Sequence, residues 1–333
     1  MDDYRNRKSF LASACLPSAL IVLGLASLSH AEMPTLFSDD EANRSLTQRA
    51  HSPDYELVEI LEERWQPLEQ PGAKLWLAYS EDYMTKRVVD FGLGQVRISY
   101  QGKSLTESTP YSLKQDVEHF LQSNVADAYR LAGIAPSLIG QASKADQSFL
   151  NLSKAQTQRL YFSAQINRAK GVLGDVLTIT INLPVDSLKK RAKSVQPMVE
   201  TLAGVENISS ALVMAIIHEE NAFNFLAHAP SSDEVYNPEL NVEVGIKRLA
   251  QLEQQFSAIV DDASRQLCVI AAYRVGVSEV ARVFTGRVSL SQAIPLINQF
   301  SPRQVRGQLR SQLTLHQGGE YVQQVSSLLA LYD

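Results

Sequence analysis

The hydrophobic period of this chain changes once, at Pro184, and that switch limits the folds open to it. Just before it, in "DVLTITINLPV", Leu177, Ile179, Ile181 and Leu183 alternate with Thr178, Thr180 and Asn182. A period of two marks a strand in a sheet with one covered face. Beyond Pro184 the apolar residues recur at helical spacing to the end of the chain. Upstream, "DYELVEILEERW" (54–65) reads as a helix. "KLWLAYS" and "KRVVDFGLGQVRISY" read as strands around a turn near Gly92–Gly94, and "RLYFSAQIN" as a further strand. "LKQDVEHFLQSNVADAYRLAGI" (113–134) reads as one long amphipathic helix, and residues 135–156 as loop and short irregular structure. Residues 54–185 are therefore expected to form an α+β domain. Residues 186–205 would be a connecting helix, with Pro197 as a kink or restart, and 206–333 an all-α lobe.

The first residues read as a targeting segment, not as fold. Arg5, Arg7 and Lys8 precede the apolar run "LPSALIVLGLASL", and Ser29 and Ala31 hold the small-residue positions before a cut. This is the pattern of a cleavable secretory signal over 1–31, followed by a polar leader over 32–53 and implying a periplasmic or cell-envelope location. Cys15 lies before the apolar run, so no lipid anchor is expected, although membrane association stays open. With Cys15 removed, Cys268 stands alone in the apolar run "QLCVIAAY" and reads as a small buried hydrophobe. A net charge of -5, with no basic block, argues against a nucleic-acid partner. No phosphate loop or CxxC pair is present. His218 and His228 have no third ligand in view, so neither a metal nor a cofactor is expected. Glu239 and Glu243, four apart, read as a solvated helix face.

The stretch "ALVMAIIHEENAFN" (211–224) carries the chemistry. Ser209 is placed to cap a helix that is apolar nearly all round through Leu212–Ile217, which marks it as buried. Glu220 follows Ile216 and Ile217 by one turn and precedes Phe223. A carboxyl held against apolar walls ionises reluctantly and becomes available as a general acid. Read from the residues alone, Glu219 and Glu220 serve equally well as solvation of a helix end.

This run resembles the catalytic helix of the soluble-lytic-transglycosylase lobe, a goose-type-lysozyme-like fold in which an apolar turn leads into Glu-Ser-x-Phe-Asn. Here that segment stands as Glu220-Asn221-Ala222-Phe223-Asn224. "YNPELNVEVGIKRLAQL", "VIAAYRVGVSEVARVF" and "EYVQQV" resemble three later segments in the family's order. The strand and helix over "TITINLPVDSLKKRAKSVQPMVETLAG" resemble those before the lobe in the membrane-bound lytic murein transglycosylase C family. The resemblance implies cleavage of the β-1,4 bond between MurNAc and GlcNAc, with a 1,6-anhydro product and no cofactor. It makes Glu220 the acid and base, Asn221, Phe223, Tyr273 and Tyr321 substrate-binding, and peptidoglycan glycan strands the partner, with cell-wall enzymes as further candidates.

Four departures accompany it. Only eleven residues, 225–235, separate Asn224 from Tyr236, and the family's Gly-Leu-Met-Gln helix is absent from them. Asn221 replaces the Ser after the acid. Arg274 replaces the Asn after Tyr273, and Gln317 replaces a Glu four residues before Tyr321. A shortened wall would leave the cleft wetter. Arg274 would act as a modulator that favours the carboxylate form of Glu220. Three readings stay open on this sequence: an active transglycosylase, a weakened or inactive glycan-binding lobe, and an envelope scaffold.

Overall fold

The computed structural model describes residues 55–102, 109–132, 146–224, 238–314 and 317–333. The expected signal, leader and shortened 225–235 loop lie outside them. The described chain divides into two compact units, one running to Arg191 and the other from Ala192, with Phe223 the last residue of the second before the 225–237 stretch.

The first unit is a five-stranded antiparallel sheet with four helices. Helix α1 (Tyr55–Arg64) precedes strands β1 (Leu75–Tyr79), β2 (Thr85–Asp90) and β3 (Gln95–Gln101). Helices α2 (Pro110–Leu121), α3 (Val125–Leu131) and α4 (Lys154–Phe162) follow, and then β4 (Gln165–Gly171) and β5 (Gly174–Asn182). The strand order is β1-β2-β3-β5-β4. The β5 alternation has the expected result: Leu177, Ile179 and Ile181 are buried, while Asn182 is exposed. Trp76, Phe120 and Phe149 stack in the core with ring centroids 5.1–6.3 Å apart. Beside them Arg87 donates twice to Asp116, at 2.8 and 3.0 Å, and the Tyr100 hydroxyl donates to the same carboxylate at 2.6 Å.

Two expectations are corrected here, both by capping residues. The long helix over 113–134 is two helices, because Asn124 accepts from the Asp127 backbone and starts a new N-terminus. "RLYFSAQIN" is mostly the end of α4, not a strand. Ser153 and Gln156 form a capping box that commits 154–162 to helix, and the strand begins only at Gln165.

The second unit is helical throughout its described residues. It contains most of α5 (Ser187–Glu206), then α6 (Ser210–Asn221), α7 (Pro238–Gln255), α8 (Asp262–Val275), α9 (Val277–Thr285), α10 (Leu290–Ile297), α11 (Pro302–Gln312) and α12 (Gly318–Leu329). Helix α5 continues through Pro197 without a restart. The apolar stretch "SRQLCVIAAYRVGVSEVARVF" is broken at Gly276, whose φ of 87° turns the chain between α8 and α9. Helices α6 and α8 form the buried centre: every residue from Ala211 to Ile217 and from Leu267 to Tyr273 is buried. Helix α12 packs against α6, α8 and α11. Its first turn has room only for glycine. A Cβ on Gly318 would lie 2.7 Å from Val275 Cγ1, and one on Gly319 would lie 2.6 Å from the Arg310 carbonyl oxygen. No helix among the described residues is long and apolar enough to cross a membrane.

Asp116→Ala should destabilise the first unit by about 2–3 kcal/mol, because it leaves a largely buried Arg87 without its charged acceptor. Urea denaturation followed by tryptophan fluorescence measures this, and an unchanged midpoint would contradict it.

Candidate active site

The site grows from the C-terminal end of α6. Ser209 caps the helix by accepting from the Leu212 backbone at 3.2 Å. The apolar residues between then sink the helix into the core and carry its last turn in with it. Glu220 is only 7% exposed. The helix cannot continue, because Ala222 and Phe223 both take left-handed backbone conformations, with φ of 51° and 59°. Asn221 holds that bend: its Oδ1 accepts from the Phe223 backbone at 2.9 Å.

Four elements converge on the Glu220 carboxyl. Tyr321, from α12, donates its hydroxyl to Glu220 Oε1 at 3.2 Å. Arg274, from the last turn of α8, lies over the Tyr321 ring, 5.6 Å from its centroid. Arg248, from α7, lies 5.1 Å from the centroid of the Tyr273 ring. Burial pushes the Glu220 carboxyl up to about 8. Arg274 opposes this most strongly, followed by the Tyr321 hydrogen bond and Arg248, while Glu219 adds to the rise. The Tyr321 hydroxyl is itself held well above the usual phenol range, first by burial and then by Glu220. It is therefore a fixed donor. Two polar atoms facing this region, Glu220 Oε2 and Asn221 Nδ2, are buried and have no hydrogen-bond partner among the described residues.

The family model described as Transglycosylase SLT domain matches residues 226–293.

Residues 226–293 are similar to the transglycosylase SLT domain.

The match begins past Glu220 and includes Tyr273 and Arg274. The chain is also similar to curated proteins named membrane-bound lytic murein transglycosylase C. The one from Cronobacter sakazakii is 27% identical over 186 residues, 47% of this chain and 51% of that protein. The one from Sodalis glossinidius is 28% identical over 189 residues, 48% of this chain and 52% of that protein. The chain thus spans about half the length of these two. For the Pectobacterium atrosepticum protein the identity is 26% over 299 residues, 77% of this chain and 82% of that protein.

Not all residues singled out in the sequence meet in the helical unit as one surface. Glu220, Tyr321 and Arg274 come together, with Tyr273 fully buried beneath Arg248. Asn221 is also fully buried, with its oxygen engaged in the backbone bend. Phe223 turns into a cluster with His218 and Tyr332, at centroid distances of 5.8 and 6.1 Å, and is 3% exposed. Gln317 takes the left-handed position that starts α12. Arg248 and Tyr332 carry no signal in the linear sequence. Each is brought in by a helix far along the chain.

Arg274 favours the carboxylate form of Glu220, as expected, and it does so without deciding the outcome. Its field has the expected sign, but desolvation of the carboxyl outweighs it. A Glu raised in this way binds its proton more tightly in the folded than in the unfolded chain. Its contribution is therefore fully present below the unfolded value near 4.5 and is lost as pH rises through about 8. Glu220→Gln removes that dependence. The stability of the variant relative to the parent should rise steadily from about pH 5 to about pH 9 in urea titrations. A difference that stays flat with pH would contradict the burial argument.

Proposed function

We propose that this protein is a peptidoglycan lytic transglycosylase in which Glu220 is the single acid and base. One observation carries the reading: a carboxyl that burial keeps protonated at neutral pH, oriented through Oε1 by Tyr321, with Oε2 accepting no hydrogen bond among the described residues. The SLT match and the names of the relatives support the substrate class.

In the proposed reaction, Glu220 gives its proton to the glycosidic oxygen between MurNAc and GlcNAc as the C1–O bond breaks. The resulting carboxylate then takes the proton from the MurNAc 6-hydroxyl. The freed oxygen closes on C1, giving the 1,6-anhydro ring and returning Glu220 to its acid form. One carboxylate suffices because the nucleophile belongs to the substrate, unlike hydrolysis, where a second carboxylate and a water take part. Tyr321 keeps its proton throughout and serves to aim the carboxyl. Arg274 and Arg248 lower the cost of the transient carboxylate and so help the second half of the cycle. We place this activity in the cell envelope, after export by the 1–31 signal, with residues 206–333 as the catalytic lobe.

A second reading, glycan binding with little turnover, is favoured by Arg274 itself, since a cation beside the acid weakens it as a proton donor. Digestion of purified sacculi separates the two. The first reading expects 1,6-anhydro muropeptides by mass spectrometry and a kcat/KM that falls as pH rises through about 8. It also expects Glu220→Gln to lower the rate by about 10²–10⁴-fold, and Glu219→Gln to lower it far less. Absence of anhydro products from the parent protein, with sacculi still bound, would leave the second reading in place.

A further inference from the structure

Arg274 is poorly explained as a counter-ion for Glu220. The carboxyl takes its hydrogen bond from Tyr321 through Oε1, and Oε2 receives none among the described residues, so the guanidinium does not touch it. The Nε of Arg274 is buried and also lacks an acceptor among the described residues. The contact the side chain does make is with the Tyr321 ring, whose centroid lies 5.6 Å from the guanidinium carbon. Stacking on a ring leaves the edge of a guanidinium fork available, and that edge matches a carboxylate in two parallel hydrogen bonds. An interaction with the α8 C-terminus would use the charge but would not call for a fork held beside the acid.

We propose that Arg274 is a carboxylate-binding residue of the Glu220 site, which makes the protein prefer glycan that bears a free carboxylate over neutral glycan. The inference rests on the transglycosylase reading and specifies which glycan that site takes. The surrounding charges fit. The charges that act most on the acid are two cations, Arg274 and Arg248, and one anion, Glu219, while burial favours the neutral form of Glu220. An incoming carboxylate thus meets a positive balance and no buried negative charge. MurNAc-containing strands offer such a group in two places: the lactyl ether of a peptide-free sugar, and the acidic residues and C-terminus of an attached peptide. A chitooligosaccharide offers none.

The test measures binding by calorimetry with the full chain carrying Glu220→Gln, so that nothing turns over. Three probes are used: chitooligosaccharide, peptide-free glycan strands and peptide-bearing strands. At least one carboxylated probe should bind about tenfold tighter than chitooligosaccharide, as expected for a charge-assisted hydrogen bond, and which one does so names the source of the carboxylate. Adding Arg274→Gln should abolish that ratio. Adding Arg274→Lys should lose part of it, since the charge stays but the fork is gone. Should the Gln variant fail to fold, an undiminished ratio in Arg274→Lys overturns the proposal. With glycan still bound, equal affinity for all three probes, or a ratio indifferent to Arg274→Gln, overturns it while leaving the transglycosylase reading standing. Failure to bind any of the three overturns both.

Discussion

Desolvation of one carboxyl governs the lobe. Helix α6 is apolar from Ala211 to Ile217, so it is drawn to the centre of the helical unit and takes Glu220 with it. Two arginines pull the other way, and burial still prevails. Many other features read as consequences. The left-handed pair Ala222–Phe223 ends the helix where the carboxyl needs to stop, and Asn221 braces that bend. Gly318 and Gly319 let α12 approach α8 and α11 closely enough for Tyr321 to reach Glu220. Each of these would be an odd choice in a helix bundle built only to be stable.

The same physics explains how the departures from the family pattern can coexist with a carboxyl of raised proton affinity. The missing Gly-Leu-Met-Gln segment belongs to residues that would wall the cleft, whereas α6, which carries Glu220, packs against α12. Arg274 brings a charge near the acid, but it stacks on Tyr321 without bonding to Glu220. Its field therefore trims the acid's proton affinity without reversing it.

Much of this was legible in the sequence where periodicity and local chemistry agree. The one-sided β5, the capped and buried α6 and the order of strands before helices follow from spacing alone. The failures were local. Capping boxes at Asn124 and Ser153 overrode apolar patterns that read as a longer helix and as a strand. The break at Gly276 needed a positive φ that a run of apolar residues conceals, and α11, polar over "PRQVRGQLRSQ", falls within the expected all-α lobe without a bounded helix of its own. Glu220, Tyr273, Arg274 and Tyr321 could be named from the chain. Their arrangement could not, because it depends on helices far apart in sequence. Phe223 shows the difference: an aromatic marked for a ligand packs instead against His218 and Tyr332, and the last of these stands one residue from the end of the chain.

The central claim is that Glu220 stays protonated at neutral pH because it is buried, despite the cations around it. A direct titration of its carboxyl tests that claim most closely. Carbon-13 NMR of glutamate-labelled protein, with the Glu220 signal assigned by its loss in Glu220→Gln, follows ionisation at that one group. The account predicts a midpoint near 8. A midpoint in the ordinary glutamate range, about 4.3, would contradict it, because the field of Arg274 and Arg248 would then have overcome the burial of α6.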